Sequence, residues 1–411
     1  MGGLYFFTNF QRVAVPGTVF DKIQSDLNVS ASAVTAFAAV FLYVYAGMQF
    51  FVGTGAERFG PGKMFLVGGF FLSAGSVLFP LSPSLVSLYL SRALVGLGAS
   101  FMYVSLVKAT VNMFEARHFA PLLGVVIVMG YSGGLAATAP LERLVARFGW
   151  RTAFLAAGII CSAVYLFVAA LLRRTGEARR EVRAMSVASV KEFFRTRAIY
   201  PILVCGPINF AMYYVLQVAV GKKILEDCCG FSSRAAANVT FAMLFTVIAG
   251  SLAGGFLPRL VGNRRRPFVI AASIGVVAGT SVLVGAMIFK GGAAWFVAGY
   301  MILAATNMPA LIGTPLFKEI SPSNTSGFAI GVLNGTTYFV VALACNAAGR
   351  VMDAFKDAVT VTQAGVKIYP PAAYLWMFIG MAALALVSLA ASLSAPETRG
   401  EQRVAQAEKE P

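Results

Sequence analysis

The sequence predicts an all-α polytopic membrane protein of about twelve transmembrane helices, built as two six-helix halves related by repetition. Three observations predict it. Of 411 residues, 58% are hydrophobic and only 12% are charged, against about 25% charged in a soluble domain. Charge-free runs recur that are long enough to cross a bilayer core, which takes about 20 residues. Landmarks of the first half also return at a constant offset in the second.

The spans follow from these runs. Phe119–Leu141, Ala235–Leu257, Ala293–Phe317 and Gly327–Ala348 contain no charged residue. In lipid a backbone must satisfy its own hydrogen bonds, which leaves helices or a closed barrel. Barrel strands alternate over about ten residues; these runs are apolar throughout, so helices are expected. The first six spans are Leu4–Phe20, Ala33–Val52, Met64–Leu81, Leu85–Val107, Phe119–Leu141 and Thr152–Leu172. The second six are Tyr200–Val220, Ala235–Leu257, Pro267–Phe289, Ala293–Phe317, Gly327–Ala348 and Ala372–Leu393. Residues 1–172 and 200–394 then form two bundles, joined by a basic linker, 173–199, and followed by a tail, 395–411.

Charge sets the expected orientation. The linker is rich in Lys and Arg, and basic loops stay in the cytoplasm. Both termini are therefore expected inside, in a multi-pass protein of the cell membrane, and a monomer is expected. The net charge of +16 lies beside the spans, near anionic headgroups, so no nucleic-acid partner is expected. Span 1 is not read as a signal peptide, since Arg12 interrupts it, and Phe6 stands where a myristoylation signal needs Ser or Thr. Cys161, Cys205 and Cys345 fall within spans, and Cys228–Cys229 are neighbours in an outer loop, so no disulfide framework is indicated. The single histidine, His118, leaves no metal-ligand spacing, and no cofactor is expected.

The repetition is concrete. Gly53 and Gly254 after spans 2 and 8 differ by 201 positions, as do Arg58 and Arg259. Lys108 before span 5 matches Lys318 before span 11. The loop Gly53-Thr54-Gly55-Ala56-Glu57-Arg58-Phe59-Gly60-Pro61-Gly62-Lys63 resembles the signature loop of the major facilitator superfamily, with Glu57 where Asp is usual. Arg92, Gly96 and Gly98 in span 4, the glycines of span 5 and Phe148-Gly149-Trp150-Arg151 are similar to further elements of that family. In the second half Pro258 replaces the signature acid. The resemblance implies an alternating-access secondary transporter whose spans 1, 4, 7 and 10 line a central cavity. It also implies a cytoplasmic gate built on Glu57 and Arg58, with Arg117 as partner.

Chemistry is expected where charge enters the spans. The acidic residues all fall in loops, at span ends or in the tail; Arg12 and Arg92 are the only charges well inside. An arginine at the centre of a helix costs about 2.5–3.5 kcal/mol to insert, so it needs an interior partner. Its planar fork suits a carboxylate or phosphate, and its alternative use is to tie helices through backbone carbonyls. Tyr5, Thr8, Asn9, Arg12 and Pro16 share one helical face, as do Phe41, Tyr45 and Gln49 in span 2. Span 7 carries Asn209, Tyr213 and Gln217 near a break expected at Gly206-Pro207. Asn307 in span 10 and Asn334 and Tyr338 in span 11 add polar stripes, and Tyr131 sits among the glycines of span 5. The expected substrate contacts are Arg12, Arg92, Asn9, Tyr45, Gln49, Tyr131, Asn209, Tyr213, Asn307 and Asn334. The expected function is transport of a small polar, anionic organic solute such as a carboxylate, amino acid or organophosphate. A non-transporting sensor or scaffold with the same fold is the alternative. An enzyme is not expected, because the spans hold no acidic pair, histidine cluster or metal ligands.

Overall fold

Span 1 shows how the helices depart from uninterrupted rods. The computed structural model describes residues 1–113, 116–174, 187–254, 261–307, 310–322, 325–363 and 365–401. Helix α1 (Gly2–Ala14) ends just before Pro16, which has no N–H to continue the ladder, and α2 (Phe20–Leu27) resumes beyond a 3₁₀ turn. Spans 2, 3 and 4 are single helices, α3 (Ala31–Arg58), α4 (Pro61–Leu81) and α5 (Leu85–Met113). Span 5 is α6 (Ala116–Ala136) continued by α7 (Ala139–Phe148), and span 6 is α8 (Trp150–Arg174). A short helix α9 (Val187–Arg195) precedes span 7.

Span 7 is the most elaborate. It runs as α10 (Tyr200–Tyr214) and widens into a π-turn over Val215–Ala219, where the span ends; a separate helix, α11 (Gly221–Cys229), follows outside it. The break expected at Gly206-Pro207 is absent: α10 passes through Pro207, and the interruption comes at Val220. Proline removes one ladder bond, whereas a full break at that depth would orphan several. The remaining spans are α12 (Ser233–Gly254), α13 (Arg266–Ile288), α14 (Ala293–Ala305) with α15 (Ala310–Glu319), α16 (Ser326–Asp353) and α17 (Pro371–Leu393). Among the described residues ten helices are long and apolar enough to cross a membrane, and the divided spans 1 and 10 account for the two others expected. A two-stranded hairpin, β1 (Thr360–Val361) with β2 (Lys367–Ile368), links α16 to α17.

Packing follows residue size. Spans 1 and 5 run parallel and close, because a Cβ on Gly133 would collide with the carbonyl of Phe6. Spans 2 and 11 run antiparallel across the two halves: Tyr43 accepts from Asn346 at 3.0 Å, and the Tyr45 and Tyr338 rings meet at 4.7 Å. Gly96 lets α5 approach α3, since a Cβ there would lie 2.5 Å from the Phe41 carbonyl oxygen. Large apolar side chains such as Leu90, Leu166, Phe167 and Leu386 are exposed on the outer surface, as a lipid-facing belt requires.

The end of the molecule away from the linker is sealed by polar contacts between the halves. Lys222 reaches Glu142 at 2.8 Å and the Thr18 carbonyl at 3.0 Å, and Ser233 donates to Glu142 at 2.7 Å. Lys223 pairs with Asp21 at 2.9 Å and Asp227 at 2.8 Å. The Asp353 carboxylate accepts from the backbone N–H groups of Ala31 and Ser32, capping the start of α3. Glu142 corrects the expectation that no carboxylate enters a span: α7 extends span 5 to Phe148, so Glu142 is a buried residue inside it.

Candidate substrate cavity

Arg12 is the centre of the candidate site. It lies near the end of α1, one turn before the interruption, where the last carbonyls of a helix attract a cation. Its guanidinium lies against the rings of Tyr45 at 4.8 Å and Tyr338 at 4.9 Å, which meet each other edge to face, and Nη1 donates to the Tyr338 hydroxyl at 2.9 Å. Tyr45 belongs to the first half of the chain and Tyr338 to the second, so one cation engages both. Nε of Arg12 is buried without a hydrogen-bond partner among the described residues.

This group borders a cavity of about 320 Å³ enclosed by spans 1, 2, 4, 5, 7, 8 and 11. Its walls include Tyr5, Asn9, Arg12, Tyr45, Tyr103, Tyr131, Phe210, Tyr213, Tyr214, Gln217, Asn334 and Tyr338, with Val13, Ile127, Val218, Leu244 and Val247 between them. Among the described residues Arg12 is the one charged side chain in that lining. The hydroxyls of Tyr213 and Tyr214 and both polar atoms of the Gln217 amide are buried without partners among the described residues. An unsatisfied buried polar atom costs about 1–3 kcal/mol, so such a set is suited to a ligand.

Of the residues expected to bind substrate, the fold brings together Arg12, Asn9, Tyr45, Tyr131, Tyr213 and Asn334. Four others lie elsewhere. Arg92 is fully buried outside the cavity, where it donates to the carbonyls of Gln11 at 3.1 Å and Phe37 at 3.4 Å. Gln49 is buried and does not line the cavity. Asn209 bonds Ser273 at 3.0 Å and Ser388 at 2.6 Å, and with Asn307 borders a separate void of about 60 Å³ within the second half. Asn209 thus ties helices of the second half together, a use that helical spacing cannot tell from ligand contact. The side chains of Glu57, Arg58 and Arg117, the expected gate, lie outside the described residues, as does the second-half loop at Pro258 and Arg259.

Tyr214 and Phe210 were not among the expected contacts, although a signal existed. Phe210, Tyr213, Tyr214 and Gln217 fall at i, i+3, i+4 and i+7, one helical face, and the π-turn that follows keeps Gln217 and Val218 on the cavity wall.

With this geometry in place, comparison with known proteins is informative. Residues 2–345 match the Major Facilitator Superfamily. The chain belongs to that family. Among curated relatives of this superfamily member, the agnestins efflux protein AgnL12 of Paecilomyces divaricatus is 26% identical over 288 residues, 66% of this chain and 61% of its own length. A protein of Cupriavidus necator named as a probable sulfoacetate transporter, SauU, is 22% identical over 46% of this chain and 43% of its own length. The match thus spans well under two thirds of the length of either relative. Among solved structures, an inward-facing, unoccupied bacterial homolog of the human lysosomal transporter Spinster superposes with a TM-score of 0.76 at 15% identity, covering 96% of this chain and 95% of the other. A POT family transporter in complex with 5-aminolevulinic acid gives 0.74 at 12% identity, covering 96% and 95%. These identities speak to the shared fold. The superfamily member is a multi-pass membrane protein, and the Arg12 cavity is lined by helices from both the first and the second six spans.

Proposed function

We propose that this transporter carries a small organic anion by alternating access, with Arg12 as the main contact of the negative group. One observation carries the reading: among the described residues, the cavity is lined by a single cation and no carboxylate. In the low dielectric of a membrane interior that cation sets a positive potential, which a bound anion relieves and a cationic solute would raise. Arg12 also touches Tyr338 of the other half, so occupancy at the guanidinium is felt on both sides of the moving interface. The relative named for sulfoacetate is consistent with an anionic substrate. In this reading residues 1–172 and 200–394 are the two rocking bundles of a monomer in the cell membrane, with both termini and the 173–199 linker in the cytoplasm. Glu57, Arg58 and Arg117 form the cytoplasmic gate.

The test is binding of a panel of small carboxylates, sulfonates and organophosphates to the purified protein by thermal shift, followed by uptake of the best binder into proteoliposomes. Loss of a charge-assisted hydrogen bond costs about 1.5–3 kcal/mol, so Arg12→Ala should weaken binding by about ten- to a hundredfold. Arg12→Lys should recover part of it, because an ammonium lacks the fork. A panel in which only cations bind, or an Arg12→Ala protein that binds the anion as tightly as wild type, refutes the reading.

A further inference from the structure

The cavity constrains more than the sign of its ligand. Resting on the anion reading above, we propose that the carried solute is a flat, singly charged aromatic acid bearing a hydrogen-bonding group, such as a hydroxyl, on the ring. Three features of the lining point to it.

The first is charge count. The guanidinium of Arg12 lies against the rings of Tyr45 and Tyr338 and donates through Nη1, while Nε, on its edge, is buried without a partner among the described residues. That edge matches one carboxylate. With no second cation in the lining, the other charge of a dianion would be buried without a partner. With no carboxylate there, the ammonium of an amino acid would face Arg12 without an opposing anion.

The second is the wall. Seven tyrosines and Phe210 border the cavity, and their rings form a near-continuous surface. Tyr5 meets Tyr103 at 5.7 Å; Phe210 meets Tyr214 at 5.4 Å and Tyr338 at 5.8 Å. Aromatic walls favour an aromatic ligand through offset and edge-to-face contacts, and they leave the hydroxyls of a sugar-like solute unmatched. A volume of about 320 Å³ stands at the small end of ligand pockets, room for one or two rings.

The third is the far wall. Tyr213, Tyr214 and Gln217 are nine-tenths or more buried, and the polar atoms named above have no partner. They belong to span 7, whereas Arg12 belongs to span 1, so the two polar sets stand on different halves. A ring that meets Arg12 with its carboxylate can satisfy these phenols and this amide with a hydroxyl.

The experiment measures calorimetric affinities of the purified protein for 4-hydroxybenzoate, benzoate, cyclohexanecarboxylate, phthalate, sulfoacetate and tyrosine. The expected order is 4-hydroxybenzoate first, benzoate three- to tenfold weaker, and the cyclohexane acid, the dianions and tyrosine at least tenfold weaker than 4-hydroxybenzoate. Tyr213→Phe and Gln217→Leu, each checked for an unchanged melting temperature, should bring the 4-hydroxybenzoate to benzoate ratio towards one. If aliphatic acids or dianions bind as tightly as 4-hydroxybenzoate, and do so through Arg12, the aromatic proposal fails while the anion reading stands. If the ratio is unmoved in both variants, the assignment of the far wall is overturned. If no anion binds, or if Arg12→Ala binds 4-hydroxybenzoate like wild type, both fail together.

Discussion

Two arginines that helical spacing ranks alike turn out to have different work. Arg12 faces the cavity, whereas Arg92 is enclosed by the rings of Phe41 at 5.0 Å and Phe79 at 5.8 Å. Its donation to the Gln11 carbonyl is the informative contact. Gln11 belongs to the last turn of α1, where the carbonyls have lost their partners to the interruption at Pro16. Arg92 thus supplies from α5 the cap that the broken helix cannot supply itself, and its charge opposes the negative end of α1. Arg92→Met should therefore lower the melting temperature by several degrees, since a buried carbonyl left without a donor costs about 1–3 kcal/mol. Ligand affinity should change much less than in Arg12→Ala, where the balance is reversed. Thermal unfolding and calorimetry on both variants check this; a large affinity loss in Arg92→Met with an unchanged melting temperature would return Arg92 to the binding site. The insertion cost of both residues was legible in the sequence. Which one meets the cavity depends on the rotation of each helix, which hydropathy does not record.

At the scale of elements, the sealed end rests on α11, a helix that composition reads as the loop after span 7. Its nine residues carry Lys222, Lys223, Glu226 and Asp227, and Lys222, Lys223 and Asp227 are held by other elements. Glu226 stands 3.6 Å from Lys222, and Tyr374 donates to Asp227 at 2.6 Å. Burial pushes the Glu226 carboxyl up to about 7; Lys222 opposes that rise and Asp21, on the other half, adds to it. Burial likewise raises Asp227 against the pull of Lys223. When this end opens, Glu226 meets water and returns towards about 4.3, the ordinary value for Glu. The sealed form therefore binds the proton more tightly. Its proton-linked stabilisation is complete below about 4.3 and is lost as pH rises through about 7. Acid should therefore favour the sealed form. Distances between spin labels placed at exposed Lys22 and Arg234 should be shorter at pH 5.5 than at pH 8, and Glu226→Gln should flatten the dependence. Equal distances at both pH values in the otherwise unaltered protein would sink this account. The small residues here also matter: a Cβ on Gly17 would lie 2.6 Å from the Val218 carbonyl oxygen, so the seal needs glycine at that crossing.

For the whole molecule, the prediction concerns orientation. From the basic linker and the positive-inside bias, both termini are expected in the cytoplasm and the hairpin between α16 and α17 outside. Native thiols are poor reporters, because burial pushes Cys228 up to about 12 and Cys229 up to about 11, leaving little reactive thiolate. Introduced cysteines are better. In a cysteine-free background, Asp357→Cys, at an exposed site beside the hairpin, should react with a membrane-impermeant maleimide on intact cells. Lys191→Cys, exposed on α9, should react only after the membrane is permeabilised. The opposite pattern would invert the topology and place the sealed end in the cytoplasm.

What the sequence determined by itself was the number and order of the spans, the family, and the two cations that must find partners inside. Each is a sum of local terms: transfer free energies over about 20 residues, motif spacing, and the insertion cost of a single charge. Only the tertiary structure decided the rest. It divided spans 1 and 5 into shorter helices, sent Arg92 to cap α1, and moved Asn209 and Asn307 out of the cavity. It also joined Lys222 to Glu142 across 80 positions and to Thr18 across 204. The physical reason is that lipid exposure is nearly neutral to how an apolar helix is rotated. Direction is settled by close approach at glycine, by aromatic contact and by polar atoms seeking partners, and those partners come from distant parts of the chain.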